Sequence, residues 1–286
     1  MLSHIEQHLI AYLMKVASLT VWLVILTVVF LPLERFFALH AQRVRARSLF
    51  SDLAYYFLNG LFPTVILAVP ISMLAAAVSQ VTPQGYLDVI AALPIWAKIL
   101  IGMLISEIGG YWGHRWSHEN RLLWGFHRVH HSPESLDWLV NTRAHPLDIV
   151  FTRLCALAPL YALSLASTRG DGQVVPTIVA FVGLVWAFFI HANVRWRLGP
   201  LEWLVSTPAF HHWHHTNDEH RDHNYAALFP MVDRLFGTHH LPDQWPPQYG
   251  VDEPSPPTFA GQLLDPLTFP VARARPAVAS DARSDA

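Results

Sequence analysis

The sequence predicts an all-α, polytopic membrane protein with about four to five transmembrane or re-entrant helices and a histidine-rich helical cap on the cytoplasmic side. Three observations predict it. The 286 residues are 52% hydrophobic and only 14% charged, against about 25% charged for an average soluble domain, and the charges leave long apolar windows. Eighteen histidines are present, fifteen of them between His114 and His240. Many recur three and four residues apart, a spacing that puts side chains on one helical face with Cβ atoms roughly 5–6 Å apart.

Taken in order, residues 9–33 hold VASLTVWLVILTVVFLPL, an uncharged run long enough to cross a bilayer. It is too long for the core of a secretory signal, and no small-residue cleavage site follows. His4 and His8 lie beyond its far end and read as solvated. Arg35, Arg43, Arg45 and Arg47 make a basic loop, cytoplasmic by the positive-inside rule. Residues 51–79 are a second apolar segment that Pro63 and Pro70 are expected to kink or to split into half-helices. The stretch 81–94, VTPQGYLDVIAALP, has no Lys or Arg and reads as an outer loop. Pro94 then opens a third helix that returns inward and delivers His114 and His118.

Arg115, Arg121, Arg128 and Arg143 put the histidine stretch 114–145 on the cytoplasmic side too. Segments 147–166 and 174–194 are two further apolar runs, the first interrupted by Arg153. If both cross, His191 emerges on the histidine side, followed by Arg195 and Arg197. Beyond Leu241 the dense prolines argue against a regular helix, and 273–286 reads as disordered. The expected division is 1–48 for the first span and basic loop, 49–240 for a catalytic domain, and 241–286 for a Pro-rich, partly disordered tail.

Three clusters carry the chemistry: His114 and His118; His127, His130 and His131; His211, His214 and His215. Each is expected to aim its imidazoles at one point, with His191 as a ninth ligand. A structural zinc site closes with four ligands and a catalytic one uses three, so this many nitrogens implies two ions, about 3.5–4 Å apart. Leaving such imidazoles buried without a partner would cost roughly 1–3 kcal/mol each. Imidazole binds Fe, Zn, Cu and Ni alike, so the ligands do not choose the metal. Soft sulfur ligands are absent. The single Cys155 excludes an intrachain disulfide and reads as a small buried hydrophobe.

Around the clusters, Glu119 follows His118 directly, and Glu107 sits inside an apolar helix, where a carboxylate is a functional candidate. Both are read as catalytic candidates. His145, His212 and Asn224 are candidates for further ligands or supports of the ligands. His220, His223, His239 and His240 read as solvated, and Trp112, Trp116, Trp124 and Trp138 as interfacial anchors or lining of a substrate entry.

HRWSH (114–118), HRVHH (127–131) and HHWHH (211–215) resemble the three histidine boxes of the sterol desaturase and fatty acid hydroxylase superfamily, and RDHNYAALFPMVDRLFGT resembles its N-Y…D-R-L-F-G-T ending. The His118-Glu119 pair and its distance to the second box resemble alkylglycerol monooxygenase in particular. Val232 stands where the family pattern leads one to expect tryptophan. The resemblance implies a membrane oxygenase with two Fe ions (di-iron), using O2 and external electrons on a lipid C–H bond of sterol, fatty acyl or alkyl-glycerol type. Hydroxylation and desaturation both remain open.

The chain has no dinucleotide fingerprint and no haem-attachment motif, so electrons come from a separate reductase or carrier. A net charge of −2 argues against nucleic acid. A non-catalytic metal transporter or metal-binding protein is the alternative. A metal hydrolase is disfavoured by the absence of H-E-x-x-H. The Arg- and Ala-rich, Lys-poor composition suggests a bacterial inner membrane.

Overall fold

In a computed structural model that describes residues 4–41, 46–167, 170–253 and 255–268, the described residues form helices joined by turns and irregular segments. The long helices are α1 (His4–Phe37), α2 (Ala46–Val81), α4 (Ile95–Glu119), α6 (Pro146–Ala162) and α7 (Val174–His191). The short ones are α3 (Gln84–Ala92), α5 (Arg121–His131), α8 (Pro208–His214), α9 (Met231–Phe236) and α10 (Phe259–Thr268). Among the described residues, three helices (α1, α2 and α7) are long and apolar enough to cross a membrane, and four if the bent pair α3–α4 counts as one span.

α6 is not among them: it has 17 residues and carries Arg153 in its middle. The count therefore meets the lower end of the expected range. Of the two readings of 51–79, half-helices are ruled out: α2 runs through both Pro63 and Pro70, since lost N–H bonds inside a long apolar helix are tolerated where neighbouring groups and local adjustment re-satisfy the backbone. One further expectation is corrected. The outer loop 81–94 is largely helical, as α3, and meets α4 at 109°. That bend sits at Leu93 and Pro94, both extended, because a proline disfavours helix in the residue before it.

Contacts fix which helix ends lie together. At one end, Glu34 near the close of α1 accepts from the backbone N–H of Trp138 (2.7 Å) and Asn193 (2.9 Å). Asp52, in the second turn of α2, takes the Arg143 Nε–H at 2.6 Å, and Asn59 donates to the carbonyls of Thr142 and Ala144. The C-termini of α4 and α7 and the N-terminus of α6 arrive at this same end, which is where the histidines are. At the other end, Gly102 of α4 meets Leu160 of α6 and Val175 of α7, and Tyr86 of α3 donates to the Leu163 carbonyl. α4 and α6 pack closely because Gly109 and Gly113 face Cys155; a Cβ at Gly109 would lie 2.3 Å from the Cys155 carbonyl.

The Pro-rich segment also departs from expectation. α10 forms beyond Pro257, runs through Pro266 in its last turn, and packs on α2 and α5. Asp265 pairs with the buried Arg128 of α5, and Tyr55 meets Phe259 edge to face at 4.9 Å. The basic-loop residues Arg43 and Arg45 and the stretch 273–286 lie outside the described residues.

Candidate metal centre

The cap is built from short, individually capped helices. Asn120 accepts from the N–H groups of Leu122 and Leu123 to start α5, and Thr207 with Pro208 starts α8, both ordinary N-terminal signals. These helices, with the ends of α4 and α7, sort nine histidines into two groups. The first holds His114, His118, His127, His131 and His214; the second holds His130, His191, His211 and His215. Within each group the candidate ligand atoms all lie within 4.8 Å of one another, close enough to hold a metal ion.

Each cluster was expected to aim at one point, and the second and third do not. At 100° per residue, i and i+4 differ by about 40°, whereas i+3 lies about 60° to the other side. The i, i+4 pairs 127/131 and 211/215 therefore stay together, while His130 and His214 cross to the opposite group. The groups adjoin: the rings of His131 and His215 stack at 4.5 Å.

Hydrogen bonds on the outer ring nitrogens decide which atoms face inward. In the first group, Nδ1–H donates from His114 to the Tyr225 carbonyl (2.8 Å), from His118 to Asp222 (3.1 Å), from His127 to Asp148 (3.0 Å) and from His214 to the His223 carbonyl (2.8 Å). In the second, His130 donates to the Arg143 carbonyl (3.0 Å) and His191 to the Ala187 carbonyl (2.7 Å). The Nε2 atoms of these rings carry lone pairs. Those of His118 and His214 are buried and have no partner.

The remaining inner nitrogens face one another: His114 and His127 at 3.1 Å, His127 and His131 at 3.2 Å, and the four Nε2 atoms of the second group in contacts of 3.0–3.2 Å. In the pairs His114–His127 and His130–His191 both rings have committed Nδ1–H elsewhere, so two lone pairs face each other and repel unless a cation lies between them. With metal–nitrogen bonds of about 2.0–2.1 Å, neighbouring ligand nitrogens stand roughly 2.9–3.4 Å apart, so these contacts are edges of coordination polyhedra. The residues fit metal ions. Burial first, and neighbouring imidazoles second, hold His130, His131, His211, His214 and His215 well below the usual histidine pKa, which keeps them neutral as ligands must be.

The other candidates fall outside both groups. Glu119 is exposed and pairs with Arg115 at 2.6 Å. Glu107 accepts the N–H groups of Leu228 and Phe229 (2.7 and 3.0 Å), tethering the loop before α9 to α4. His145 caps α6 by accepting from Leu147 and donates its Nε2–H to the Leu263 carbonyl. His212 bridges Tyr249 and the Ala192 carbonyl. Asn224, at a positive φ of 59°, donates to the carbonyls of Phe210 and His240. His220, His223, His239 and His240 join neither group. Trp124 and Trp138 are buried instead of interfacial: the first packs on His118 and His131, the second on Phe30 and Phe188. Trp116 lines a cleft of about 460 Å³ with Glu119, Asn120, Leu123 and Phe151.

Sequence reasoning missed Asp148 and Asp222, the two carboxylates behind His127 and His118. Asp148 was detectable as the single acid of the run 147–166. The N-Y…D-R-L-F-G-T ending acquires a structural reason. Asp233 accepts from Tyr225 N, Ala226 N and Thr238 Oγ1 at 2.8, 2.9 and 2.7 Å. Gly237 closes α9 at φ 74°, and the bracketed loop presents the Tyr225 carbonyl to His114.

The fatty acid hydroxylase family model matches residues 99–238, the stretch that supplies all nine histidines. Ornithine lipid hydroxylase OlsE of Rhizobium tropici is 37% identical over 154 residues, 52% of this chain and 44% of that protein. Alkylglycerol monooxygenase of Homo sapiens is 31% identical over 147 residues, 50% and 30% of the two lengths. Methylsterol monooxygenase 2-2 of Arabidopsis thaliana is 27% identical over 161 residues, 51% and 55%. The matches thus cover less than half of the first two relatives, and no solved structure matches. Residues 99–238, which hold the three histidine boxes gathered at one end of the apolar helices, match the fatty acid hydroxylase family.

Proposed function

We propose that this protein is a membrane oxygenase that hydroxylates or desaturates a lipid C–H bond with two iron ions, O2 and electrons from a separate reductase or carrier. The observation that carries the reading is the sorting of nine histidines, eight buried and His114 half-buried, into groups of five and four at one end of the apolar helices. The family match and the named hydroxylase and monooxygenase relatives support it. Iron in these groups would supply reductive activation of O2 and removal of hydrogen from an unactivated carbon.

The protein's own part is to hold the site. His114, His118, His127, His131 and His214 bind one ion, and His130, His191, His211 and His215 the other. Asp148 and Asp222 orient His127 and His118 and raise their basicity. Trp124 and Tyr225, packed on the imidazoles, exclude water around them. A transporter would carry ligands along the middle of its spans, whereas these lie at helix ends. The catalytic unit is 49–240, with α1 bracing it through Glu34. The histidine end faces the cytoplasm of a bacterial inner membrane, on the side of the arginines.

The test is metal analysis after gentle detergent purification from iron-replete cells, then product analysis with a reductase and 18O2. About two irons per chain, with a labelled hydroxyl or a new double bond in a lipid, is the expected result. One ion or none in folded protein, or no O2-dependent lipid product from the iron-loaded form, overturns it.

A further inference from the structure

The buried and half-buried arginines of the cap have partners, unlike the exposed Arg121 and Arg195: Arg115 with Glu119, Arg128 with Asp265, Arg143 with Asp52, Arg197 with Glu202, Arg221 with Asp222. Arg153, in the middle of α6 and half-buried, has no hydrogen bond, ion pair or ring contact among the described residues.

Its place on the helix shows which way it faces. Thr152, Cys155 and Pro159 form the side against the glycines of α4. Leu147 and Ala162 are exposed and Phe151 lines the outer cleft, which marks the outer side. Leu160, fully buried, reaches Gly102 of α4 beside Val175 and Val179 of α7, which marks the inner side. Arg153 is seven residues before Leu160, about 20° from it around the helix. It therefore shares the inner stripe, two turns nearer the histidine end. Helical side chains lean toward the N-terminus, and the N-terminus of α6 is at that end. Asp148, which holds His127, is five residues away, about 7.5 Å along the axis.

A cation on an apolar helix that faces the bundle interior calls for a counter-charge. Among the described residues none is supplied. A guanidinium forks a carboxylate or a phosphate through two parallel hydrogen bonds. We propose that Arg153 binds the carboxylate or phosphate of the lipid substrate and so holds its anionic end beneath the two histidine groups. This rests on the reading of the chain as a lipid oxygenase, and it makes Arg153 the residue that selects anionic lipids over neutral ones.

The test is equilibrium binding of radiolabelled lipids to the purified full chain in a neutral detergent, with no turnover required. Oleate is compared with oleyl alcohol, and dioleoyl phosphatidate with dioleoylglycerol. Wild type should bind at least one anionic lipid about tenfold more tightly than its neutral counterpart, the size of one charge-assisted hydrogen bond. Preference in the oleate pair identifies a carboxylate, preference in the phosphatidate pair a phosphate. Arg153→Gln should abolish that preference with metal content unchanged, and Arg153→Lys should keep part of it. Equal binding of anionic and neutral lipids by wild type overturns the proposal, even if Arg153→Gln does not fold. A preference retained in folded Arg153→Gln also overturns it. Failure of the oxygenase reading would show separately, as missing oxygenated product.

Discussion

His130 and His191 face each other through their Nε2 atoms at 3.1 Å, and neither can donate to the other. Both have committed Nδ1–H to a carbonyl, of Arg143 and of Ala187. Two lone pairs this close are held by the fold for a cation. Removing one of the four ligands of this group should therefore empty it without emptying the other. His191→Ala is expected to lower metal content from about two ions per chain to about one, and His220→Ala to leave it unchanged. Full metal content in His191→Ala would remove it from the ligand set.

Asp148 and Asp222 act on metal affinity through the histidines they hold. Asp148→Asn keeps the shape but loses the charge behind His127, and outer partners of this kind are worth roughly 10–100-fold in affinity. Competition with a graded chelator should show a loss of that size for Asp148→Asn and for Asp222→Asn. Unchanged affinity in both would mean that the carboxylates only fill space.

Asp233 gathers three donors in one buried place. Asp233→Ala strands Tyr225 N and Ala226 N, at about 1–3 kcal/mol for each buried group left unsatisfied, while Thr238 Oγ1 keeps the Tyr111 hydroxyl at 2.9 Å. A lowered melting temperature is expected, with metal lost first from the group containing His114, whose Nδ1 partner is the Tyr225 carbonyl. A variant as stable as wild type would show that water replaces the carboxylate.

Acid should destabilise the metal-free protein. Burial lowers His212 to about 3 and His239 and His240 to about 4, against about 6.5 in the unfolded chain. Between those values the unfolded state binds more protons, so stability falls as pH drops below about 6.5 and continues down to about 3–4. Asp233, raised by burial to about 7, runs the other way: its contribution is greatest below the unfolded value of about 3.9 and is lost as pH rises toward 7. Three histidines outweigh one carboxylate. The melting temperature of the chelated protein should be lower at pH 4.5 than at pH 7.5, and an equal or higher value would contradict this sign.

Much of this was legible in order along the chain. Uncharged apolar runs determine α1, α2 and α7, because a bilayer core and helix rise set a minimum length. Histidine spacing identified eight of the nine members of the two groups, because residues three and four apart lie near one face, and His191 was found from its place at the inner end of an apolar segment. The helix in the Pro-rich segment was not legible. α10 forms where it can pack on α5 and give Asp265 to Arg128, a partner 137 residues away in sequence.

By itself, then, the sequence determined an all-helical membrane chain with nine convergent histidines. Only the tertiary structure decided how they divide. His130 and His214 leave their own boxes because the i+3 position points away from the i, i+4 pair, and which ion it then serves depends on which helix stands opposite. The same holds for the supports: Asp148, Asp222 and the carbonyls of Tyr225, His223 and Arg143 become partners through long-range packing. A local pattern can specify a face, but not what the face meets.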